Sequence, residues 1–403
     1  MNDRIDWRTP TVVLVACGVV LVLSTGIRAT FGLFLQPISH DLGWGREVFA
    51  LAIAVQNLVW GATQPFAGMI ADKYGSGRVV LVSALLYALG LVLMAFPISP
   101  LAFALSAGLV FGTSLSGVTF SIVAGVLGRA YPPGKRSMVL GISAAAGSFG
   151  QFAMLPFTQW LLTRFGWHGA LIMLSMIALL MAPLAAAMAS PRGAVVHAFR
   201  QSASQAIHEA LRHRGYLLLT LGFFVCGFQV VFIGVHLPSY LLDKGMPARV
   251  GVTALALIGL GNIVGTYLTG WLGGHMPKRW ILSFIYFARA IAISLFLWAP
   301  LSTVSVYAFA VTIGLLWLST IPPTNGIVAQ VFGVRYLSML AGITFFSHQV
   351  GSFLGAWLGG KVFDTTGSYD LVWYLSIALG VVAGIIHLPI DEREIVRNVS
   401  AAA

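Results

Sequence analysis

Two arginines and one histidine lie deep inside long apolar runs of this 403-residue sequence. Arg28 is near the middle of VVLVLSTGIRATFGLFLQPI, Arg289 lies in FIYFARAIAIS, and His348 lies in TFFSHQVGSF. A guanidinium can bond both oxygens of a carboxylate, and an imidazole can carry a proton near neutral pH. These residue types therefore predict an organic-anion site in which His348 is the candidate for proton coupling.

No acidic residue in the sequence is available to neutralise these arginines at mid-membrane. All twelve aspartates and glutamates lie in predicted loops, tails or segment ends. A cation at the centre of a lipid-spanning helix costs about 2.5–3.5 kcal/mol on insertion scales, and an unpaired buried charge is strongly unfavourable. Carriers of cationic drugs and proton pumps commonly use a buried carboxylate, so the pattern disfavours both and favours an anionic substrate.

The apolar runs that carry these residues are long enough to cross a membrane. The chain is 58% hydrophobic and 9% charged, whereas soluble domains carry about 25% charged residues. We therefore expect an all-α polytopic membrane protein, without the short alternating segments of a β-barrel. The twelve predicted segments have cores at 11–37, 47–70, 79–97, 101–128, 138–163, 168–189, 215–241, 250–273, 280–299, 303–331, 338–362 and 371–388.

The distribution of lysine and arginine predicts the orientation of the chain. With both termini in the cytoplasm, sixteen of these residues lie inside and five outside, as the positive-inside rule requires. We expect a plasma (inner) membrane location. The net charge of +11 comes from these short loops, so no nucleic-acid partner is predicted, and no cofactor, metal cluster or catalytic set is found. The sequence is not expected to be an enzyme.

Two short internal repeats indicate that the chain has two similar halves. IVAG at 122–125 is echoed by IVAQ at 327–330, and SMVLGI at 137–142 by SMLAGI at 338–343. Repeats in parallel order place a substrate site between the halves, near the bilayer midplane. We expect a monomer made of an N-terminal six-helix half (1–190), a cytoplasmic linker (191–214) and a C-terminal six-helix half (215–403).

The loop after the second segment resembles a motif of the major facilitator superfamily. The chain reads GMIADKYGSGR at 68–78, against the family pattern G-x-L-A-D-R-x-G-R-[KR]. The resemblance implies the major facilitator fold, with Asp72 pairing across the half–half interface in the outward-open state and Arg129 as its local partner. The residues implied in conformational gating are Gly68, Asp72, Gly75, Arg78 and Arg129.

Within that superfamily, the layout resembles bacterial relatives of the monocarboxylate transporters. Those carriers have a basic residue in segment one, which Arg28 matches. They also carry an aspartate and an arginine four residues apart in segment eight, where this chain has Asn262 and Thr266. The resemblance implies a secondary active transporter of a small monocarboxylate that works by alternating access, and the two missing charges leave its proton coupling open.

The predicted substrate site combines these residues with polar amides. Ser24, Arg28, Gly32 and Gln36 recur every fourth residue and share one helix face, which we interpret as a cavity wall. In the superfamily, segments seven and ten should face the cavity. We therefore include one amide residue from each of them, Gln229 and Asn325. The predicted substrate-binding residues are Arg28, His348, Gln229, Asn325 and Arg289.

Other interpretations of these residues remain open. Arg28 could bond carbonyls and amides between helices, and Arg289 could bond Tyr286 or the carbonyls of a broken neighbouring helix. His348 could be a packing residue. The alternative function is an exporter of neutral or hydrophobic compounds on the same fold, with a cavity lined by Phe31, Phe34, Phe223 and Phe224. A membrane sensor without transport activity is disfavoured.

Overall fold

A computed structural model describes residues 9–131, 133–189, 203–333 and 337–395 of the chain. Within these ranges the side chains of Asp72, Lys73, residues 133–138, Ala203 and Ser338 are not described. Every regular element in the described ranges is a helix. The predicted all-α fold is therefore confirmed.

The described residues of the first half form nine α-helices. They are α1 (Pro10–Ala29), α2 (Leu35–Leu42), α3 (Arg46–Tyr74), α4 (Ser76–Ala95), α5 (Pro100–Ala104), α6 (Phe111–Val118), α7 (Phe120–Ala130), α8 (Pro133–Leu179) and α9 (Met181–Leu184). A 3-10 turn (Phe31–Leu33) joins α1 to α2, and a π turn (Leu105–Val110) joins α5 to α6.

The linker helix and the second half follow. They are α10 (Ala203–Arg212), α11 (Arg214–Asp243), α12 (Ala248–Leu272), α13 (Lys278–Trp298), α14 (Thr303–Leu316), α15 (Ile321–Phe332), α16 (Leu337–Thr366) and α17 (Asp370–His387). Of the predicted linker, residues 191–202 lie outside the described residues.

The helices account for the twelve predicted crossings. Nine helical stretches among the described residues are long and apolar enough to span a membrane. One of them, Val139–Leu184, is broken at Gly166, whose φ of 66° belongs to the left-handed region that glycine tolerates, so it makes two crossings. The 29-residue α3 and the 30-residue α16 complete the set.

Segment one is not the continuous helix that the sequence predicts. α1 ends at Ala29, and the hydroxyl of Thr30 donates to the carbonyl of Ile27 at 2.7 Å. In the following turn Gly32 lies against the carbonyls of Gly234 and Val235 on α11, where a Cβ would clash. The two halves therefore approach each other closely at Gly32, in the 3-10 turn that follows α1.

Segment ten is also interrupted, between Leu316 and Ile321. Pro322 and Pro323 lie in the first turn of α15, where a missing backbone N–H costs nothing. Proline also disfavours helical geometry in the residue before it. The break therefore lies immediately before the prolines. It leaves the carbonyls of Leu316 and Trp317, at the end of α14, free to accept hydrogen bonds from side chains.

The two halves meet along two helix pairs. α3 packs along α16, and α8 packs along α12. Glycines allow close contact inside each half: a Cβ on Gly26 would lie 2.7 Å from the carbonyl oxygen of Gly150, where α1 crosses α8. The interface between α3 and α16 runs past the centre of both helices, and it is there that the chemistry-bearing residues meet.

Candidate functional site

Arg28 is the centre of a cluster shared by both halves, formed by Arg28, Asn57, Trp60, Phe345 and His348 and called the central cluster here. The Nη2 of Arg28 donates to Oδ1 of Asn57, and the guanidinium carbon lies 4.8 Å from the ring centroid of Trp60. Nε of Arg28 is buried and has no hydrogen-bond partner. Among the described residues Arg28 forms no ion pair, so its charge has no counterion from that part of the chain.

Aromatic rings connect Arg28 to His348 across the interface. The ring of Trp60, on α3, lies 5.3 Å from that of Phe345, on α16, in an edge-to-face arrangement. Phe345 in turn stacks on the imidazole of His348, with centroids 5.8 Å apart and planes 8° apart. The rings of Trp60 and Phe345 thus lie between Arg28 and His348, which are 320 positions apart in the sequence.

His348 is held on one edge and unpaired on the other. Its Nδ1 lies 3.1 Å from Oε1 of Gln349 and 3.4 Å from Oγ of Ser352. Phe223 of α11 lies against the imidazole at 4.8 Å. Nε2 is buried without a hydrogen-bond partner, so this nitrogen is available to a proton or a ligand.

The cluster is surrounded by further unpaired donors. Gln64 accepts a hydrogen bond from Nε1 of Trp60 at 2.6 Å, which leaves its own Nε2 buried and without a partner. Nε2 of Gln349 is unpaired as well. A buried donor without a partner costs about 1–3 kcal/mol. Donors on both halves therefore suit a ligand rich in acceptor oxygens, such as an organic anion.

Arg289 and Gln229 lie together inside the second half. Arg289 is 2% exposed, and its Nε and Nη2 donate to the carbonyl of Leu316 at 3.2 and 2.5 Å. Nη2 also donates to the carbonyl of Trp317, and Nη1 to Oε1 of Gln229 at 3.3 Å. Gln229 donates to the carbonyl of Ser376. Arg289 thus bonds the carbonyls freed by the break in segment ten, as one of its two interpretations expects.

The remaining predicted positions are dispersed. Asn325 is exposed on α15 and takes part in none of the hydrogen bonds of the central cluster. Ser24 is fully buried and donates to the carbonyl of Val118 at 2.8 Å, while Gln36 donates to Asp243 at 2.9 Å. Ser24 thus bonds a neighbouring helix, and Gly32 and Gln36 contact α11 of the other half. Their sharing of one cavity wall with Arg28 stays a prediction.

Segment eight also contacts the break in segment ten. Oδ1 of Asn262 accepts hydrogen bonds from the backbone N–H of Leu318 at 3.0 Å and from the hydroxyl of Thr266 at 3.1 Å. Its Nδ2 donates to Oγ of Ser148, on α8, at 3.3 Å. Asn262 therefore links the unwound backbone of the second half to a helix of the first half.

The gating motif lies at the junction of α3 and α4. Gly75 alone joins the two helices, with φ 95°, and its N–H donates to the carbonyl of Ala71. Oγ of Ser76 accepts from Nη2 of Arg129 at 2.7 Å. Gly68 faces open space and Arg78 is exposed. The side chain of Asp72 lies outside the described residues, so its pairing with Arg129 stays a prediction.

The opposite end of the bundle, near the loop between α2 and α3, holds an ion pair between the halves. Arg46 donates from both terminal nitrogens to the carboxylate of Asp243, at 2.6 and 2.7 Å, and to the hydroxyl of Tyr369 at 2.8 Å. Burial lowers the pKa of Arg46, and the bonds to Asp243 and Tyr369 outweigh that effect, so the pKa is raised. The three residues come from three different segments, which is why no sequence pattern indicated the contact.

Asp364 of α16 adds a helix cap to this contact between the halves. Its two carboxylate oxygens accept from the backbone N–H groups of Arg46 and Glu47 at 3.0 and 2.7 Å. These groups begin α3, and the N-cap residue Gly45 supplies no side chain for them. The carboxylate of Glu47 bonds Lys361 at 3.1 Å. We call Arg46, Glu47, Asp243, Lys361 and Asp364 the end contact.

No group of three histidine, cysteine, aspartate or glutamate side chains in the described part of the chain could hold a metal ion. Cys17 and Cys226 are buried free thiols, and Sγ of Cys226 lies 3.2 Å from Oγ1 of Thr320.

Comparison with known proteins identifies the family. The family model described as Major Facilitator Superfamily matches residues 17–356. The chain belongs to the major facilitator superfamily. As a member of this superfamily it is a multi-pass membrane transporter of the secondary class and not an enzyme.

Relatives and solved structures agree with this assignment. Monocarboxylate transporter 13 of Rattus norvegicus is 26% identical over 353 residues, covering 85% of this chain and 80% of the relative. The uncharacterized MFS-type transporter YcxA of Bacillus subtilis (strain 168) is 24% identical, covering 96% and 95%. A crystal structure of a bacterial homolog of the human lysosomal transporter Spinster, in an inward-facing and unoccupied conformation, matches with a TM-score of 0.75, 14% identity, and 94% and 96% coverage. The crystal structure of a D-xylose–proton symporter matches with a TM-score of 0.72 at 13% identity, covering 94% and 97%.

Proposed function

We propose that this superfamily member transports a small organic anion, a monocarboxylate, by alternating access of its two halves. The observation that carries the proposal is the state of Arg28. Its guanidinium bonds Asn57 of the same half, has no counterion among the described residues, and presents a buried Nε without a partner. Nε and Nη2 form one edge of the planar fork, which suits both oxygens of a carboxylate.

The two arginines at membrane depth differ in how many of their donors are free for an anionic ligand. Arg289, the second arginine at membrane depth, already donates to two backbone carbonyls and to Gln229. Several relatives at 24–26% identity are named monocarboxylate transporters. We infer that Arg28 binds the carboxylate, that His348 carries the coupling proton, and that Arg289 and Gln229 support the site from the second half.

The orientation and the domain limits belong to the same proposal. Sixteen lysines and arginines against five favour cytoplasmic termini in a plasma (inner) membrane, with a cytoplasmic linker at 191–214. In that orientation the end contact lies outside the membrane and is closed, so the site would open toward the cytoplasm. The motif at 68–78 is the basis for proposing a gating role for Gly68, Asp72, Gly75, Arg78 and Arg129. The internal repeat is the basis for proposing that the protein is a monomer.

The alternative, export of neutral or hydrophobic compounds, has less support. It expects Phe31 and Phe34 to line a greasy cavity. Both are buried in the core of the first half, 3% and 1% exposed, and Phe31 packs on Phe111 at 4.8 Å. Their burial removes two of the four aromatic residues on which that alternative depends.

Uptake by proteoliposomes tests the role of Arg28. Replacement Arg28→Gln removes a charge-assisted hydrogen bond of about 1.5–3 kcal/mol, so we expect uptake of radiolabelled monocarboxylates to weaken roughly 10- to 100-fold in apparent affinity. Arg249→Gln is the matched control, because Arg249 is exposed outside the cluster. Undiminished uptake in Arg28→Gln would contradict the proposal.

A further inference from the structure

The imidazole of His348 is oriented by a neighbour on its own helix. Nδ1 faces Oε1 of Gln349 at 3.1 Å, whereas Nε2 has no hydrogen-bond partner. The hydroxyl of Ser352 donates to the carbonyl of His348 at 2.9 Å, so its proton is already in use. An amide oxygen can only accept. This orientation of the Gln349 amide assigns the proton of the neutral ring to Nδ1 and a lone pair to Nε2.

Gln349 also touches the other half of the molecule. A Cβ built on Gly61 of α3 would lie 2.9 Å from both Cβ and Cγ of Gln349 and 3.3 Å from the ring of Phe346. The stem of the glutamine therefore fills the space that the absent side chain of Gly61 leaves. The position of the Gln349 amide, and so its bond to Nδ1, depends on contact between α3 and α16.

No carboxylate contacts the imidazole of His348 in the described part of α3, α15 and α17. From α11 the thiol of Cys226 faces the ring, and Arg289 of α13 is close enough to interact with the same thiol. On the side of α3, the rings of Trp60 and Phe345 separate His348 from Arg28. Because no carboxylate of the described residues is in contact, we assign the balance of an imidazolium charge to a bound anion.

We propose that Gln349 positions His348 for proton coupling by holding the ring proton on Nδ1 while α3 and α16 are in contact, which leaves Nε2 as the base that takes the transported proton. The inference rests on the proposed function and extends it. An N–H bond forms at Nε2 as a hydronium ion gives up its proton and becomes water, and the carboxylate bound at Arg28 balances the added charge. When α3 and α16 separate, Gln349 loses its contact with Gly61, and its hydrogen bond to Nδ1 weakens. The proton on Nε2 then returns to water, and the anion is released with it.

Nitrogen NMR of the histidine rings tests the tautomer without relying on transport. The full chain is labelled with 15N-histidine, and the His348 signals among the nine histidines are assigned by their loss in His348→Gln. We expect the neutral ring of the wild type to carry its proton on Nδ1, and Gln349→Leu to move protonation to Nε2. A wild-type ring protonated on Nε2, or an unchanged tautomer in Gln349→Leu, would overturn the proposal.

A second variant covers the case in which Gln349→Leu does not fold. Gln349→Glu keeps an acceptor next to Nδ1 and adds a negative charge, so the Nδ1 tautomer should persist and the ring should titrate at higher pH. Gln330→Leu, exposed on α15, should leave the His348 signals unchanged. A ring in Gln349→Glu that titrates at the wild-type pH would contradict the positioning role.

Transport measurements then separate this inference from the proposed function. In proteoliposomes the pH profile of carboxylate uptake should move to higher pH in Gln349→Glu, in step with the ring titration. If no carboxylate is taken up while the tautomer behaves as expected, the proposed substrate is wrong and the positioning role stands. If uptake occurs and its pH profile is the same in wild type and Gln349→Glu, the positioning role is wrong and the substrate stands.

Discussion

Arg28 and Arg289 both lie inside apolar runs of the sequence, but their hydrogen-bond partners differ in the folded chain. Arg28 has one side-chain acceptor, Asn57, and an unpaired Nε, whereas Arg289 donates to two carbonyls and an amide. A cation that is already solvated by backbone carbonyls has little left for a ligand, while one that lacks acceptors gains from an anion. The difference supports assigning the anion to Arg28.

At the same scale we predict the effect of replacing His348. In His348→Gln the site keeps an amide but loses its titrating group, so proton-driven accumulation of the anion should be abolished while anion exchange at equal pH continues. Uptake with and without a pH gradient measures both activities in proteoliposomes. His275→Gln is the control, because His275 is exposed just after α12 and its Nδ1 lies 2.8 Å from the carbonyl oxygen of Trp271, outside the central cluster. Proton-driven accumulation that survives in His348→Gln would refute this role.

Among the elements, the break in segment ten depends on two neighbouring helices. Arg289 of α13 supplies donors to the carbonyls that end α14, and Asn262 of α12 supplies an acceptor to the N–H of Leu318. Unwound backbone at membrane depth is tolerated only where other groups bond it. The interruption in segment ten is therefore stabilised by side chains of α12 and α13, and not by the sequence of segment ten alone.

Replacing Arg289 tests this dependence. Arg289→Met leaves the carbonyl of Leu316 without its donor, and that of Trp317 with the long thiol contact of Cys226 at 4.0 Å. A buried polar group without a partner costs about 1–3 kcal/mol. Thermal unfolding in detergent should show a lower midpoint than the wild type, with Arg249→Met as the exposed control. An unchanged midpoint would mean that water or another side chain bonds those carbonyls equally well.

At the scale of the whole molecule, the end contact holds α3 and α11 together at one end of the bundle. Arg46 pairs with Asp243 through two hydrogen bonds, and Asp364 caps the first turn of α3 from the opposite half. A carboxylate at a helix N-terminus is stabilising, and this one is lost if the halves separate. The end contact therefore favours the conformation in which this end is closed.

Weakening the end contact should shift the balance between conformations. Asp243→Asn removes an ion pair worth about 1 kcal/mol or less, which changes the ratio of two states by up to roughly fivefold. Spin labels at His40→Cys and Lys244→Cys, both exposed at this end, should report more of the longer distance. Cys17 and Cys226 are replaced beforehand to avoid labelling.

Asp370→Asn is the control for this measurement. Asp370 is exposed at the same end, and its side chain is not part of the end contact. An identical distance distribution in Asp243→Asn and Asp370→Asn would show that the ion pair does not hold the two halves together.

Composition and segment length were sufficient to predict the class of this protein. A chain with 9% charged residues cannot cover a water-exposed surface, and about twenty apolar residues are needed to cross the hydrocarbon layer. The twelve crossings and the superfamily followed from these properties together with the motif at 68–78. Arg28 and His348 could be singled out because charged or titratable groups are costly in lipid wherever the chain folds.

Only the tertiary structure decided which partners those residues have. The close approach of Gly32 to α11, and the ring contacts of Trp60 and Phe345 that lie between Arg28 and His348, exist because distant helices pack together. Trp60 and Phe345 carry no sign in the sequence that separates them from other buried aromatic residues. Hydrophobicity acts on each segment separately, whereas hydrogen bonds and ring contacts between distant segments exist only once the helices are packed.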